Sequence, residues 1–427
     1  MKHEISSLSN GTGFVSAPLK ERNSVAVGIW VKVGGRDERP QESGISHFLE
    51  HLVFKGTKTR SANKIKESVE GVGGSLNAFT SEEYTCFFAK APKKYFGQVF
   101  DVLSDMALNA TLKEEDLKKE RTVIMEEIKM TQDQPSQLVE EILAEMIWPD
   151  HPLGRPLAGT LETVSKMSRE HLVGYKEKFY TAPLITIAAS GAIDHKALRA
   201  SVQSRFGRLK SGPSPKKLDL FQRRQAKPRL KIFNKATEQT HLSLGIHSLP
   251  KNHPDEYALD ILSILLGGNM SSRLFNKVRE ERGLAYDISS SLRKYHETGA
   301  FGVEAGVDNK KAEEALKVIL EELDKVAQKP VKDDELRRAK DFYLGQMMLG
   351  LENSMNLMLW IGEGLVTLDR CRTPEEVARE VSKVSASDLK RVATNIFRAS
   401  ALNLAIVGPH GESLEKSLSK ILSFSRD

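Results

Sequence analysis

In the run Gly44-Ile-Ser-His-Phe-Leu-Glu-His-Leu-Val53, two histidines stand four residues apart with a glutamate between them. On a helix that spacing projects His47 and His51 from one face, where both imidazoles can chelate a single metal ion. Glu50, three residues after His47, lies on nearly the same face, within reach of a water at that metal without being a ligand. The order H-x-x-E-H inverts the H-E-x-x-H zinc signature. A catalytic zinc takes three protein ligands and leaves a fourth position open, so the third ligand must come from elsewhere in the chain.

A source for it is the stretch Glu120-Arg-Thr-Val-Ile-Met-Glu-Glu-Ile128, which reads as strongly helical. Glu120 and Glu127 are seven residues apart, two turns along one face. One carboxylate can bind the metal while the other stands behind it as an orienting partner. Glu126 points elsewhere.

The elements that must carry these groups occur twice. An alternating strand, Ser24-Val-Ala-Val-Gly-Ile-Trp-Val-Lys-Val33, opens the first half, and His241-Leu-Ser-Leu-Gly-Ile246 opens the second. The order of motifs then repeats: GISHFLEHLVFKGT against YALDILSILLGGN, FFAKAPKKYFGQVFDVLSDM against FGVEAGVDNKKAEEALKVILEEL, and LKEEDLKKERTVIMEEI against VKDDELRRAKDFYLGQM. Such self-similarity marks an internal duplication. Strands in hairpin-like order with grouped helices predict an α+β fold of two homologous domains, each a mostly antiparallel sheet covered by helices. The Gly, Pro, Ser and Lys-rich segment around Leu209–Leu218 predicts a boundary, giving domains over 1–208 and 229–427 with a linker over 209–228.

A histidine pair on an amphipathic helix can arise from packing alone, and the duplication bears on this. The positions matching His47, Glu50 and His51 in the second half are Leu259, Leu262 and Ser263, and those matching Glu120 and Glu127 are Ala339 and Gln346. The scaffold therefore dispenses with these polar groups in one copy. Their presence in the other points to chemistry.

The 427 residues, 40% apolar and 28% charged, have the composition of an ordinary multidomain globular protein. Net charge is +6, but 63 Lys and Arg are interspersed with 57 Asp and Glu, a pattern of solvated helix faces that gives no reason to expect a nucleic-acid partner. No apolar run approaches the roughly 20 residues of a membrane span. The start, MKHEISSLSNGTG, shows neither a signal peptide nor a transit peptide, and two cysteines, Cys86 and Cys371, exclude a disulfide framework. A cytoplasmic location is the expectation.

The motifs GISHFLEHLVFKGT, GGSLNAFTSEEYT, ERTVIMEEI, HPLGRPLAGT and GGNMSSRLFNKVREERGLAYDISSSL resemble the inverzincin, or pitrilysin-type, metallopeptidases over nearly the whole chain. Within them the similarity is to the short subfamily of mitochondrial processing peptidase and its bacterial relatives. The resemblance implies His47, His51 and Glu127 as ligands of one zinc per subunit, Glu50 as general base and Glu120 as an accessory glutamate. It implies that Asn77, Ala78, Phe79 and Thr80 form an edge strand that pairs with an extended peptide substrate, and that Arg279 and Tyr286 bind substrate opposite the metal. Of the acids with which processing peptidases select Arg near the cleaved bond, this chain offers Glu141 but has Gln137.

The implied activity is that of a zinc metalloendopeptidase acting on unstructured peptides or presequences inside a dimeric chamber. Longer relatives enclose substrate with four such domains, and two copies of this chain would restore the count, as a homodimer or with a related subunit. The alternative is a non-catalytic structural or assembly subunit of the same fold. Such chains typically lose metal ligands, and here all are in place.

Overall fold

A computed structural model of the chain describes residues 2–212, 220–222 and 225–424. Two compact units emerge, each drawn from both halves of the sequence. One comprises Met1–Lys129, Arg155–Leu218 and Met347–Glu376, the other Met130–Gly154, Asp219–Gln346 and Val377–Asp427. Of the expected linker 209–228, residues 213–219 and 223–224 lie outside the described residues.

The first unit is built on β1 (Glu4–Ser7), β2 (Gly13–Pro18), β3 (Ser24–Val31), β4 (Ser75–Thr80), β5 (Thr85–Pro92) and β6 (Ile185–Gly191). Their spatial order is β1-β2-β6-β3-β5-β4, and every pairing is antiparallel except that of β2 with β6. The second unit carries β7 (Arg229–Asn234), β8 (Gln239–Ser248), β9 (Ala285–Lys294), β10 (Gly299–Asp308) and β11 (Asn403–Gly408) in the order β7-β11-β8-β10-β9. Here too one pair, β7 with β11, is parallel. With β1 set aside, the two strand orders superpose term by term, so the duplication read in the sequence is a duplication of topology. The fold is α+β, with two mixed, mostly antiparallel sheets packed by helices.

Alternation along β3 sends its residues to opposite faces, and both faces are buried. Val25, Val27, Ile29 and Val31 join Phe48 and Leu49 in one core, while Ala26 and Trp30 join Met358 and Ile361 in another. The second layer comes from the helix Ser354–Leu368, which belongs to the second half of the sequence. In the second unit the reverse holds: the helix Pro135–Ile147 lies against β8 and β11, with Leu138, Ile142, Leu143 and Ile147 packed on Ala405 and Val407. Each sheet is thus closed by one helix from the other half of the chain.

Of the second-copy positions, those matching His47, Glu50, His51 and Glu120 are buried, while Gln346, matching Glu127, is exposed. On the helix Glu256–Gly267, Leu259 and Leu262 are buried, and Ser263 Oγ lies 3.1 Å from Ser290 Oγ of β9. Among the described residues no helix is long and apolar enough to cross a membrane.

Candidate metal centre

The predicted metal-binding pentapeptide sits on the helix Ile45–Val53. Ile45, Ser46, Phe48, Leu49, Leu52 and Val53 are buried, leaving His47, Glu50 and His51 as the accessible stripe. Gly44 precedes the helix in the left-handed region, with φ +93°, and supplies no side-chain cap. The first-turn amides are satisfied from a distance instead: Gly44 N and Ser46 N donate to Glu38 Oε2 and Oε1 at 2.8 and 2.9 Å. An anionic acceptor at a helix start is favourable on two counts, hydrogen bonding and the helix dipole. Burial pushes the Glu38 carboxyl up to about 7, against the pull of those two amides and of Arg155.

The helix Glu114–Asp133 brings the carboxylates. Its buried stripe is Leu117, Glu120, Ile124 and Ile128, so Glu120 is a charge on an otherwise apolar face, and Glu127 lies at the edge of that face. Arg121 ties the helix to its surroundings by donating to the carbonyls of Val164 and Met167 at 3.3 and 2.7 Å.

His47, His51 and Glu127 converge, with one ligand atom from each lying within 4.8 Å of the others. Glu127 Oε2 is 3.9 Å from His47 Nε2 and 3.6 Å from His51 Nε2. The two imidazole rings meet edge-on with centroids 4.7 Å apart. Glu120 stands behind: its Oε2 lies 3.1 Å from His51 Nδ1 and its Oε1 2.7 Å from Lys55 Nζ. A carboxylate oxygen accepts, so the network places the hydrogen of His51 on Nδ1 and leaves the Nε2 lone pair facing Glu127.

These residues fit a zinc ion. Glu127 Oε2 is buried with no hydrogen-bond partner, held beside two imidazole nitrogens at distances too long for hydrogen bonds. An orphaned anionic oxygen in that position is costly unless a cation meets it. Two imidazoles and one carboxylate form a known catalytic zinc set. Burial, with a smaller contribution from the neighbouring His51, pushes His47 down to about 4, which keeps it in the neutral form a ligand requires.

Glu50 is outside the ligand group and close to it. Thr80 Oγ1, at the end of β4, donates to Glu50 Oε2 at 2.6 Å. Burial raises the Glu50 carboxyl, the Thr80 hydroxyl and His51 lower it, and Glu127 raises it further. The stretch Asn77–Thr80 lies on β4, an edge strand of its sheet, which among the described residues pairs with β5 alone and is partly exposed along its length.

The remaining predicted residues belong to the second unit. Arg279 lies in a π-helical turn, Phe275–Glu280, with its guanidinium 4.6 Å from the Phe275 ring centre and 5.7 Å from that of Tyr286. Tyr286 itself is 75% exposed. Glu141 is half-buried on Pro135–Ile147, and burial raises its carboxyl. Sequence reasoning missed Glu38, for which no local signal exists, and Lys55, which stands four residues after His51 but just past the end of the helix Ile45–Val53.

Comparison with known proteins agrees with this geometry. Residues 14–161 match the model described as Insulinase (Peptidase family M16), and residues 166–343 match that of the Peptidase M16 inactive domain. The chain is 36% identical over 407 residues to an uncharacterized zinc protease of Streptomyces coelicolor, covering 94% of this chain and 88% of the relative. It is 35% identical to the zinc protease YmxG of Bacillus subtilis, covering 94% and 97%. A solved protease from Helicobacter pylori superposes with a TM-score of 0.90 at 25% identity, covering 96% and 99%. Complex III2 from Candida albicans, at 17% identity and a TM-score of 0.85, shares the fold. A first domain that keeps the His-His-Glu group and a second that has lost its counterpart match these two models in the same order: the chain belongs to peptidase family M16, the insulinase family, and is a zinc protease.

Proposed function

We propose that this protease is an endopeptidase for extended, unstructured peptides, with His47, His51 and Glu127 holding one zinc per subunit and Glu50 serving as general base. The observation that carries the reading is the meeting of three elements in one unit: the ligand trio, Glu50, and the edge strand whose Thr80 holds Glu50. Zinc, when bound, supplies Lewis acidity toward the scissile carbonyl and the attacking water. Glu50 takes the proton from that water and returns it to the leaving amine. Glu120 fixes the ring of His51.

Asn77, Ala78, Phe79 and Thr80 pair with the substrate backbone. An outer strand recognises an extended peptide by main-chain hydrogen bonds, with little demand on sequence and no place for a folded domain. Arg279 and Tyr286 act in this reading as substrate-backbone and oxyanion donors contributed by a second copy of the chain. Glu141 is a candidate contact for a basic substrate side chain. The compartment proposed is the cytoplasm, where the two buried, free cysteines, Cys86 and Cys371, would stay reduced.

Two variants test the assignment. Glu50→Gln is expected to retain zinc, measured by metal mass spectrometry, while losing turnover of a quenched peptide. His51→Ala loses both. An active Glu50→Gln protein would sink the assigned base.

A further inference from the structure

We propose that Lys55 is a positioning residue of the metal centre, holding Glu120 so that His51 presents Nε2 as a ligand. The inference rests on the zinc reading above and extends it by one residue.

An ion pair at a surface is ordinarily worth little. This one differs in where its acid lies. The Glu120 side chain is 8% exposed and that of Lys55 37%, so the carboxylate is buried while the ammonium reaches it from the rim. A buried carboxylate with a free oxygen is expensive. Glu120 has none: Oε1 meets Lys55 Nζ at 2.7 Å and Oε2 meets His51 Nδ1 at 3.1 Å. Each contact orients the other. With Lys55 in place the carboxylate can rotate neither toward solvent nor toward the ligand trio, and the hydrogen on His51 has a single acceptor.

Lys55 is itself braced. It stands just past the end of the helix Ile45–Val53, with its amide donating to Leu52 O at 3.1 Å. The segment that follows is pinned to the helix Phe96–Asn109. Thr57 Oγ1 and Thr59 Oγ1 donate to Asp105 Oδ2 at 2.6 and 2.8 Å, and Arg60 Nη1 reaches the same oxygen at 2.6 Å. The backbone is fixed in parallel, with Lys58 N donating to Asn109 O and Thr111 N to Gly56 O. A loop carrying a merely solvated lysine does not require such anchoring. Here the anchoring fixes where the ammonium can reach, and the ammonium fixes Glu120.

The test measures zinc affinity of the full chain by competition with a chromophoric chelator, beside the melting temperature of the metal-free protein. Lys55→Met is expected to weaken zinc about tenfold, the lower end of losses seen when outer partners of a metal ligand are removed, with little change in the melting of the metal-free form. Lys55→Arg should stay within about threefold of wild type, since it restores a cation at Glu120. Glu120→Gln should weaken zinc by itself, and adding Lys55→Met to it should cost nothing further, because Lys55 acts through that carboxylate. Unchanged or tighter zinc binding in Lys55→Met overturns the proposal, as does a full additive loss in the double variant. Failure of the wild type to bind zinc would instead remove the reading beneath it.

Discussion

Thr80 Oγ1 donates to Glu50 Oε2 over 2.6 Å, joining the last residue of an edge strand to the carboxylate proposed as general base. The strand proposed to align substrate therefore also aligns the proton acceptor. Replacing Thr80 by Val keeps the shape and removes the donor. A hydrogen bond to a charged group contributes about 1.5–3 kcal/mol, so kcat should fall about tenfold or more while zinc content is unchanged. Thr80→Ser should keep most of the activity. Steady-state kinetics of the two variants decide it, and an unaltered kcat in Thr80→Val would separate the strand from the base.

Glu38 links stability to pH. Burial pushes its carboxyl up to about 7 in the folded chain, against about 4.3 for an unperturbed glutamate. The folded state then holds the proton more tightly than the unfolded state between those values. The stabilisation is complete below the unfolded value and is lost as pH rises through 7, a change on the order of 3 kcal/mol. Denaturant titrations of the metal-free protein at pH 5 and pH 8 should show a larger loss for the wild type than for Glu38→Gln, which cannot titrate. Parallel losses would mean that the two amide donors hold Glu38 ionised throughout.

Gly44 enters the helix of His47 and His51 at φ +93°, and a Cβ placed there would lie 2.5 Å from the carbonyl oxygen of Ala158. Both backbone strain and a clash with fixed backbone therefore oppose any side chain. Gly44→Ala should cost more than the roughly 1–2 kcal/mol of the left-handed conformation alone. Because the strain falls three residues before His47, zinc affinity should drop with stability. Thermal melting with and without zinc measures both, and a variant that melts like wild type would contradict the geometry.

The clustering of His47, Glu50 and His51 was legible because they share one short helix, where period alone decides which side chains are neighbours. Glu127 needed the family pattern, since no local rule joins residues on separate helices. The sheets followed from alternation, yet the second layer on each did not. The amphipathic helices Pro135–Ile147 and Ser354–Leu368 announce a buried face without saying which sheet will bury it, and each goes to the sheet of the other half. The π-helical turn around Arg279 was equally hidden, because VREERG has the composition of an ordinary helix. Glu38 caps a helix that begins seven residues later through a folded-back loop, a contact made by tertiary structure and invisible in sequence.

A trans arrangement of the active site makes the most exposed prediction. Arg279 and Tyr286 form one stacked group in the second unit, with Tyr286 largely in solvent, while the proposed zinc ligands and Glu50 form another in the first. By resemblance to relatives with four domains in one chain, a two-domain chain should obtain the Arg and Tyr group from a second copy, and a closed two-fold dimer is the commonest assembly for a soluble oligomer. Glu50→Gln and Arg279→Ala should each cleave peptide poorly alone. In a mixed dimer, one site joins intact Glu50 from the Arg279→Ala subunit with intact Arg279 from the Glu50→Gln subunit, and the other site is doubly defective. Random exchange makes half the dimers mixed, so about a quarter of all sites, and of wild-type activity, should return. Differently tagged subunits, copurified to prove exchange, supply the control. If exchange occurs and activity stays absent, Arg279 acts on its own subunit's site or outside catalysis, and the trans arrangement is wrong.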